Sequence, residues 1–417
     1  MVLGPVAKNV SWFILGHLVR ILLQFGYLVL SARFLGPEGY GAFASVIAVM
    51  AAVAPLSGWG QSDLVVKRLA TSSENFALYL GRAINIVFIT GGILAALTCV
   101  LAWLWFGDAI PIKVVFLVAM ADLIFARILD IAFGVFKGIE RLGKAASLFI
   151  ILSGARLAIA LVIIYLIDNP SLSDWVYSYI IGSVLAAIFS IFIVGRAICW
   201  PCLNMKNLRS DLSHGKAFAI ALAAQRFNNN LDKIILPRLG GMEIMGAYSA
   251  AFRILESSII PVAAIQNATY ARFFRHGKTG LGGARDYARR ILPIGVGYAL
   301  VVGAVIYYFA PVVVFILGDQ FKLSADILRW FSILPLLYVI NLSAANVLVA
   351  GGMQHVRSVA QSGIVVINLG LLLLLIPKLS WVGAVIAVVT SECLMGIAMW
   401  FYIIYSIKSS HNKRSNH

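Results

Sequence analysis

The chain has 417 residues, of which 61% are hydrophobic and 12% charged; soluble domains carry roughly 25% charged residues, so a water-soluble fold is excluded. Its formal charge of +16 would suit nucleic acid only if the bases lined a soluble surface. They do not, because apolar runs of membrane-spanning length recur from end to end with short polar gaps between them.

The first run, Val10 to Ala32, is too long for a signal-peptide core and lacks a small-residue cleavage pattern after it, so it is read as a retained first helix. Five more helices are expected at roughly 40–60, 80–106, 112–135, 145–167 and 175–198. After a basic gap, six follow at roughly 217–238, 246–270, 290–317, 326–350, 357–377 and 382–406. The expected fold is therefore all-α, with twelve transmembrane helices in two six-helix bundles, residues 1–205 and 206–417.

With the N-terminus inside, the inner segments collect most of the bases, from Lys67 and Arg68 through Lys137, Arg141 and Lys144 to the run between Arg272 and Arg290. The outer segments hold only Arg33, Lys113, Arg238, Lys322, Arg329 and Lys378. The positive-inside rule then puts both termini in the cytoplasm, as an even helix count requires, and explains the basic pI as topology plus attraction to anionic lipid.

Charges inside the spans are the informative residues, because a lone charge at mid-bilayer costs several kcal/mol (about 3 on insertion scales). Helix one aligns His17, Arg20 and Gln24 on one face, although Arg20 is near enough to the inner side to snorkel. Helix four carries Asp122, Arg127 and Asp130, and helix five carries Arg156. Helix seven is the most polar span: Gln225, Asn229 and Asp232 fall on one face, and Arg226, Asn230 and Lys233 on the adjoining one. Helix eight adds Arg253 with Glu256, and helix twelve a single Glu392. Arg127 with Asp130 and Arg253 with Glu256 stand at i, i+3, where each can form an ion pair that merely holds the fold. Arg156, Arg226 and Lys233 have no local acid that balances them, which points to a cavity attracting anions; the planar fork of arginine suits pyrophosphate. Asp232 and then Glu392 are the first candidates for an ion-coupling carboxylate, with Glu256 and Asp130 behind them.

Other patterns carry less. Cys199 and Cys202 have a CxxC spacing without a thioredoxin-like context, and Cys99 and Cys393 read as packing residues. Gly277-Lys278-Thr279 lacks the first glycine of a phosphate loop, since Arg272 occupies that place. Gly134 and Gly138 allow close helix packing. No Ser/His/Asp, Cys/His or metal constellation stands out, so neither an enzyme, a cofactor nor a metal site is expected.

Two turns half a chain apart match: RFLGPEGYGAFA from Arg33 to Ala44, and RLGGMEIMGAYSA from Arg238 to Ala250. A weaker echo links Lys137-Gly138 with Gly351-Gly352. Together they suggest a duplicated six-helix unit. With the stretch from Asn229 to Ile254, and Ile376-Pro377 followed by Gly383-Ala384, the sequence resembles the Wzx-type O-antigen and polysaccharide flippases of the multidrug/oligosaccharidyl-lipid/polysaccharide superfamily. The resemblance implies two MATE-like bundles around a cavity that opens alternately to each side. It also implies outward transfer of undecaprenyl-pyrophosphate-linked oligosaccharide in a bacterial inner membrane, for lipopolysaccharide or another surface polysaccharide.

On that reading the substrate residues are Arg20, Arg127, Arg156, Arg226, Asn229, Asn230, Lys233 and Arg253, and the ion-coupling residues Asp130, Asp232, Glu256 and Glu392. Expected partners are the lipid-linked oligosaccharide, membrane lipids, H+ or Na+, and the polysaccharide polymerase machinery, with no nucleic acid and a monomeric protein. A drug/cation antiporter of the same superfamily is the alternative; it should be dominated by acids and aromatics rather than by bases.

Overall fold

The computed structural model of the protein describes residues 3–71, 76–202, 208–277 and 280–415, and these are helices and turns with no strand among them. The chain divides into two compact units, Met1–Arg238 and Leu239–His417.

In the first unit α1 (Leu3–Val53) is one long helix with a single non-helical residue, Gly36, at φ 65° and ψ 178°, followed by Pro37. A helix of 51 residues would run about 75 Å, far beyond a hydrocarbon core of about 30 Å, so the break at Gly36 sets off the two expected helices from each other. A short α2 (Gln61–Thr71) precedes α3 (Phe76–Phe106). The expected fourth helix is split: α4 (Ile112–Met120) passes through a π turn, Ala121–Phe125, into α5 (Ala126–Gly138). Then come α6 (Leu142–Leu166), α7 (Leu172–Ala197) and α8 (Leu208–Gly240).

Small residues set the close approaches in this unit. A Cβ on Gly134 would stand 2.6 Å from the carbonyl oxygen of Ser62, and one on Gly138 would press on Leu69 and Val66, so the GxxxG pair is the seat on which α2 packs against α5. A Cβ on Gly182 would reach within 2.7 Å of the Arg156 backbone, which is how α7 lies against α6. The core between these helices is apolar, with Leu129, Val135, Phe136 and Leu148 sealed from solvent.

The second unit consists of α9 (Met242–Gly277), α10 (Leu281–Phe309), α11 (Val312–Leu317), α12 (Lys322–Phe331), α13 (Leu334–Ala350), α14 (Gln354–Leu379) and α15 (Trp381–Ser415). The bases from Arg272 to Arg290 belong to the end of α9 and the start of α10 rather than to a separate surface element, while Lys278 and Thr279 lie outside the described residues. Helix α14 lies along α15, and α13 packs on α9, α10 and α15.

Among the described residues, seven helices are long and apolar enough to cross a membrane, or eight when the pair Asp319–Phe331 and Leu334–Ala350, bent by 44°, counts as one span. The protein is a multi-pass membrane protein. The segments α4–α5, α8 and α9 fall outside that set, because the π turn cuts the first into short pieces and the other two carry the ionisable residues singled out above. The division at Arg238 leaves nearly all of α8 with the first unit. In α8, residues 231–233 and 235–237 are buried, and Trp105 of α3 donates its Nε1 hydrogen to the carbonyl of Ile234 at 3.0 Å.

The paired turns of the repeat share a backbone device. Gly36 (φ 65°) and Gly241 (φ 97°) break the helices at equivalent places, whereas at the second echo the positive φ falls on Glu140 (φ 58°), two residues after Gly138, and on Gly352 itself (φ 78°).

Candidate functional site

The polar interior of the first unit is built around the π turn. Asp122 sits in that turn, and Gly91 of α3 makes room for it: a Cβ there would stand 2.5 Å from the carbonyl oxygen of Leu123. The Ser57 hydroxyl donates to that same carbonyl. Wide turns of this kind inside α-helices are frequently found at functional sites.

Arg156 reaches Asp122 from α6. Its Nη2 donates to Asp122 Oδ1 at 2.8 Å, its Nη1 to the Tyr179 hydroxyl at 2.7 Å, and its Nε to Ser183 Oγ at 2.9 Å. Tyr179 completes the ring by donating to Asp122 (2.8 and 3.0 Å), and the guanidinium carbon lies 3.6 Å from the Tyr179 ring centroid. Tyr27, Phe43 and Trp175 close over Tyr179 with centroid distances of 5.3–6.4 Å where they meet it or one another. The expectation that Arg156 has no balancing acid is therefore corrected. Its partner lies 34 positions away on another helix, where a search along one helix face does not look.

Arg127 is differently placed. Its Nη1 stands 2.6 Å from Asp130 Oδ2, with 29% and 25% of the two side chains exposed. Its Nε donates to the backbone carbonyl of Asp122 at 3.3 Å, so the π turn also orients this guanidinium. The Ser62 hydroxyl holds the Asp130 carbonyl at 2.8 Å. Arg226 of α8 is exposed, is within electrostatic reach of Asp130, and forms no salt bridge among the described residues.

The polar stripe of α8 splits along the helix. Gln225, Arg226 and Asn229 are exposed, whereas Asp232 and Lys233 are buried with 3.6 Å between Lys233 Nζ and Asp232 Oδ1. Lys233 Nζ also donates to the Asn229 carbonyl at 3.1 Å, and the Asn230 amide to the Arg226 carbonyl at 2.8 Å. Asp232, its neighbour on α8, thus supplies an acid for Lys233, the pairing that competes with an ion-coupling role for Asp232. Arg20 lies 5.2 Å over the Phe149 ring of α6. Exposed Gln24 and half-buried His17 do not continue it into a uniform stripe.

The interior of the second unit uses amides instead of bases. Asn341 Nδ2 donates to Glu392 Oε2 at 2.5 Å and to the Glu392 carbonyl at 3.0 Å. Gly396, one turn on, leaves room for the carboxamide, since a Cβ there would stand 2.5 Å from Asn341 Oδ1. Gln266 donates to Ser343 at 3.0 Å and accepts from Asn346 at 2.8 Å. Glu392 forms no salt bridge among the described residues. Arg253 and Glu256 form a half-exposed pair at 3.4 Å. Sequence reasoning missed Asp122 as a site residue, and also Tyr179, Ser183 and Asn341. The one available signal was the need of each buried charge for a partner.

Among the described residues no group of three His, Cys, Asp or Glu side chains could hold a metal ion. The four cysteines are free thiols, and burial pushes the Cys199 thiol up, away from a reactive thiolate.

The sequence profile of a family described as polysaccharide biosynthesis protein matches residues 6–275, which includes every charged residue of the first unit discussed above. The chain belongs to this family. No curated protein sequence matches this member at a significant level. Among solved structures, this family member is similar to an inward-facing multidrug resistance MATE family transporter of the MOP superfamily, at 16% identity, with 94% of this chain and 95% of that chain covered and a TM-score of 0.76. An outward-facing MATE transporter aligns with 96% of each chain covered, 16% identity and a TM-score of 0.64. A MOP superfamily transporter from Pyrococcus furiosus, described as having a binding pocket of reverse polarity, aligns with 96% of this chain and 94% of that chain, 15% identity and a TM-score of 0.63. The polysaccharide biosynthesis protein therefore has a MATE-like transporter fold.

Proposed function

We propose that this protein is a flippase that moves undecaprenyl-pyrophosphate-linked oligosaccharide from the cytoplasmic to the periplasmic leaflet of a bacterial inner membrane by alternating access. It acts without covalent chemistry, as a monomer of twelve crossings in two six-helix halves, residues 1–205 and 206–417, with both termini inside. The observation that carries the reading is the set of bases that a polysaccharide-family member keeps on its polar helices: part-buried Arg127 beside the π turn, buried Lys233, and exposed Arg226.

A pyrophosphate needs several positive donors in a site of low dielectric, and arginine forks supply them with directional hydrogen bonds. Arg156, Arg20, Arg253, Asn229 and Asn230 complete the assigned substrate set, Arg156 acting through its bonded ring with Asp122 and Tyr179. Vectorial movement is assigned to H+ or Na+ coupling at Asp232 or Glu392, with Glu256 and Asp130 as further acids. The surroundings of Glu392 suit it best, because its carboxylate meets an amide and, among the described residues, forms no salt bridge. Membrane lipids and the polymerase machinery are the assigned partners.

The test is export in a cell lacking its own flippase. Arg226→Ala should abolish surface polysaccharide and leave lipid-linked precursor on the cytoplasmic leaflet, while Arg226→Lys should rescue part of it. Normal polysaccharide from a well-expressed Arg226→Ala variant overturns the reading. Likeness to MATE transporters supports a second reading, drug/cation antiport. It predicts drug resistance on overexpression and no effect on polysaccharide.

A further inference from the structure

The ion pair on α5 differs from the Arg156–Asp122 pair in one respect: it is still reachable. Arg156 is saturated, with donors on Asp122, Tyr179 and Ser183 and a ring against its face, and only 16% of its side chain remains exposed. Arg127 has 29% exposed and a single carboxylate, that of Asp130, on its outer nitrogen. Its Nε is anchored separately to the Asp122 carbonyl, so the guanidinium keeps its place whether or not Asp130 holds it. Asp130 in turn has its backbone fixed by Ser62, independently of its carboxylate. The charged groups around that carboxylate are Arg127 and Arg226 on the attractive side and Asp122 and Asp63 on the repulsive side.

The geometry points to Asp130 as an internal stand-in for the anionic group of the substrate: its carboxylate occupies Arg127 in the empty protein and gives way when a pyrophosphate bridges Arg127 and Arg226. This rests on the flippase reading and adds to it how Arg127 is kept neutralised without substrate. An arginine left bare in a partly dry interior costs desolvation energy with no return. A resident carboxylate removes that cost while the substrate is absent. The incoming ligand carries more charge than the carboxylate it replaces and can reach a second guanidinium, so the exchange is favourable only for a multiply charged anion. A neutral glycolipid or a monoanionic headgroup would not pass this test, and discrimination of that kind needs a competitor as well as an attractive contact.

The test uses the full-length protein in nanodiscs of phosphatidylcholine, with farnesyl pyrophosphate as probe and farnesol as uncharged control, comparing wild type with Asp130→Asn, Arg127→Gln and the double variant. Asn keeps the shape of Asp130, and Gln keeps a donor for the Asp122 carbonyl, so all three are built to fold. Asp130→Asn should bind farnesyl pyrophosphate about fivefold or more tightly than wild type, a typical size for coupling between two groups. Arg127→Gln should weaken binding, and the double variant should show no gain over Arg127→Gln alone. Wild-type binding with no gain in Asp130→Asn, or a gain that survives in the double variant, overturns the inference and leaves the flippase reading standing. Failure of both wild type and Asp130→Asn to prefer farnesyl pyrophosphate over farnesol overturns both. If phosphatidylglycerol in the disc abolishes the Asp130→Asn gain, the pair exchanges with a resident headgroup and the inference fails.

Discussion

Arg156 shows how a buried charge constrains its neighbours. With its Nη2 on Asp122 and its Nη1 on the Tyr179 hydroxyl, it neutralises an acid that cannot be left bare in the interior of the unit. Removing one partner of such a pair typically costs roughly 3–5 kcal/mol, whereas removing both charges together can be nearly neutral. Arg156→Ala should therefore lower the thermal unfolding temperature in detergent sharply, and Arg156→Met with Asp122→Leu should recover most of it. A double variant as unstable as Arg156→Ala would show that the ring around Tyr179, and not the ion pair, carries the stability. The same residue explains a limit of reading along the chain. Periodicity on one helix paired Arg127 with Asp130, three positions on, and the pair is present at 2.6 Å. It found nothing for Arg156, because Asp122 comes from a different helix and is aimed there by the π turn.

At the scale of the elements, glycines decide which helices meet. Gly182 brings α7 against the backbone of Arg156, and a larger residue must push the two helices apart at the point where Ser183 and Tyr179 hold the guanidinium. Gly182→Leu should overpack the contact by about 1–3 kcal/mol and reduce export together with stability, whereas Gly92→Leu on α3, where an added Cβ meets nothing within 4 Å, should change neither. Equal effects of both substitutions, read by unfolding temperature and surface polysaccharide, would remove the packing argument. The repeat was legible at this scale as two short motifs. The structure adds the reason: Gly36 and Gly241 each take a positive φ that an L side chain adopts only at a cost. The split of the fourth helix was not legible, since no proline or glycine marks a π turn and its cause lies in Gly91 and Ser57, packed against Leu123 from elsewhere.

At the scale of the whole molecule, the prediction concerns orientation. A cysteine introduced beside Ser173, at the start of α7, should be labelled from the periplasm by a membrane-impermeant maleimide, and one beside Arg209, at the start of α8, only after the inner membrane is opened. Reversed labelling would overturn the inside position of the termini. Composition and hydropathy by themselves determined that this is an all-helical, multi-pass membrane protein, because lipid leaves the backbone no other way to satisfy its hydrogen bonds within each span. The quoted turns determined the family resemblance, since they mark where the duplicated unit must break its helices. Only the tertiary structure decided which charges meet. It gave Arg156 to Asp122, Lys233 to Asp232 and Glu392 to Asn341, and left Arg226 exposed. Charge pairing in a membrane interior is set by distances across helices, and those depend on the packing of every small residue between them rather than on any local stretch of chain.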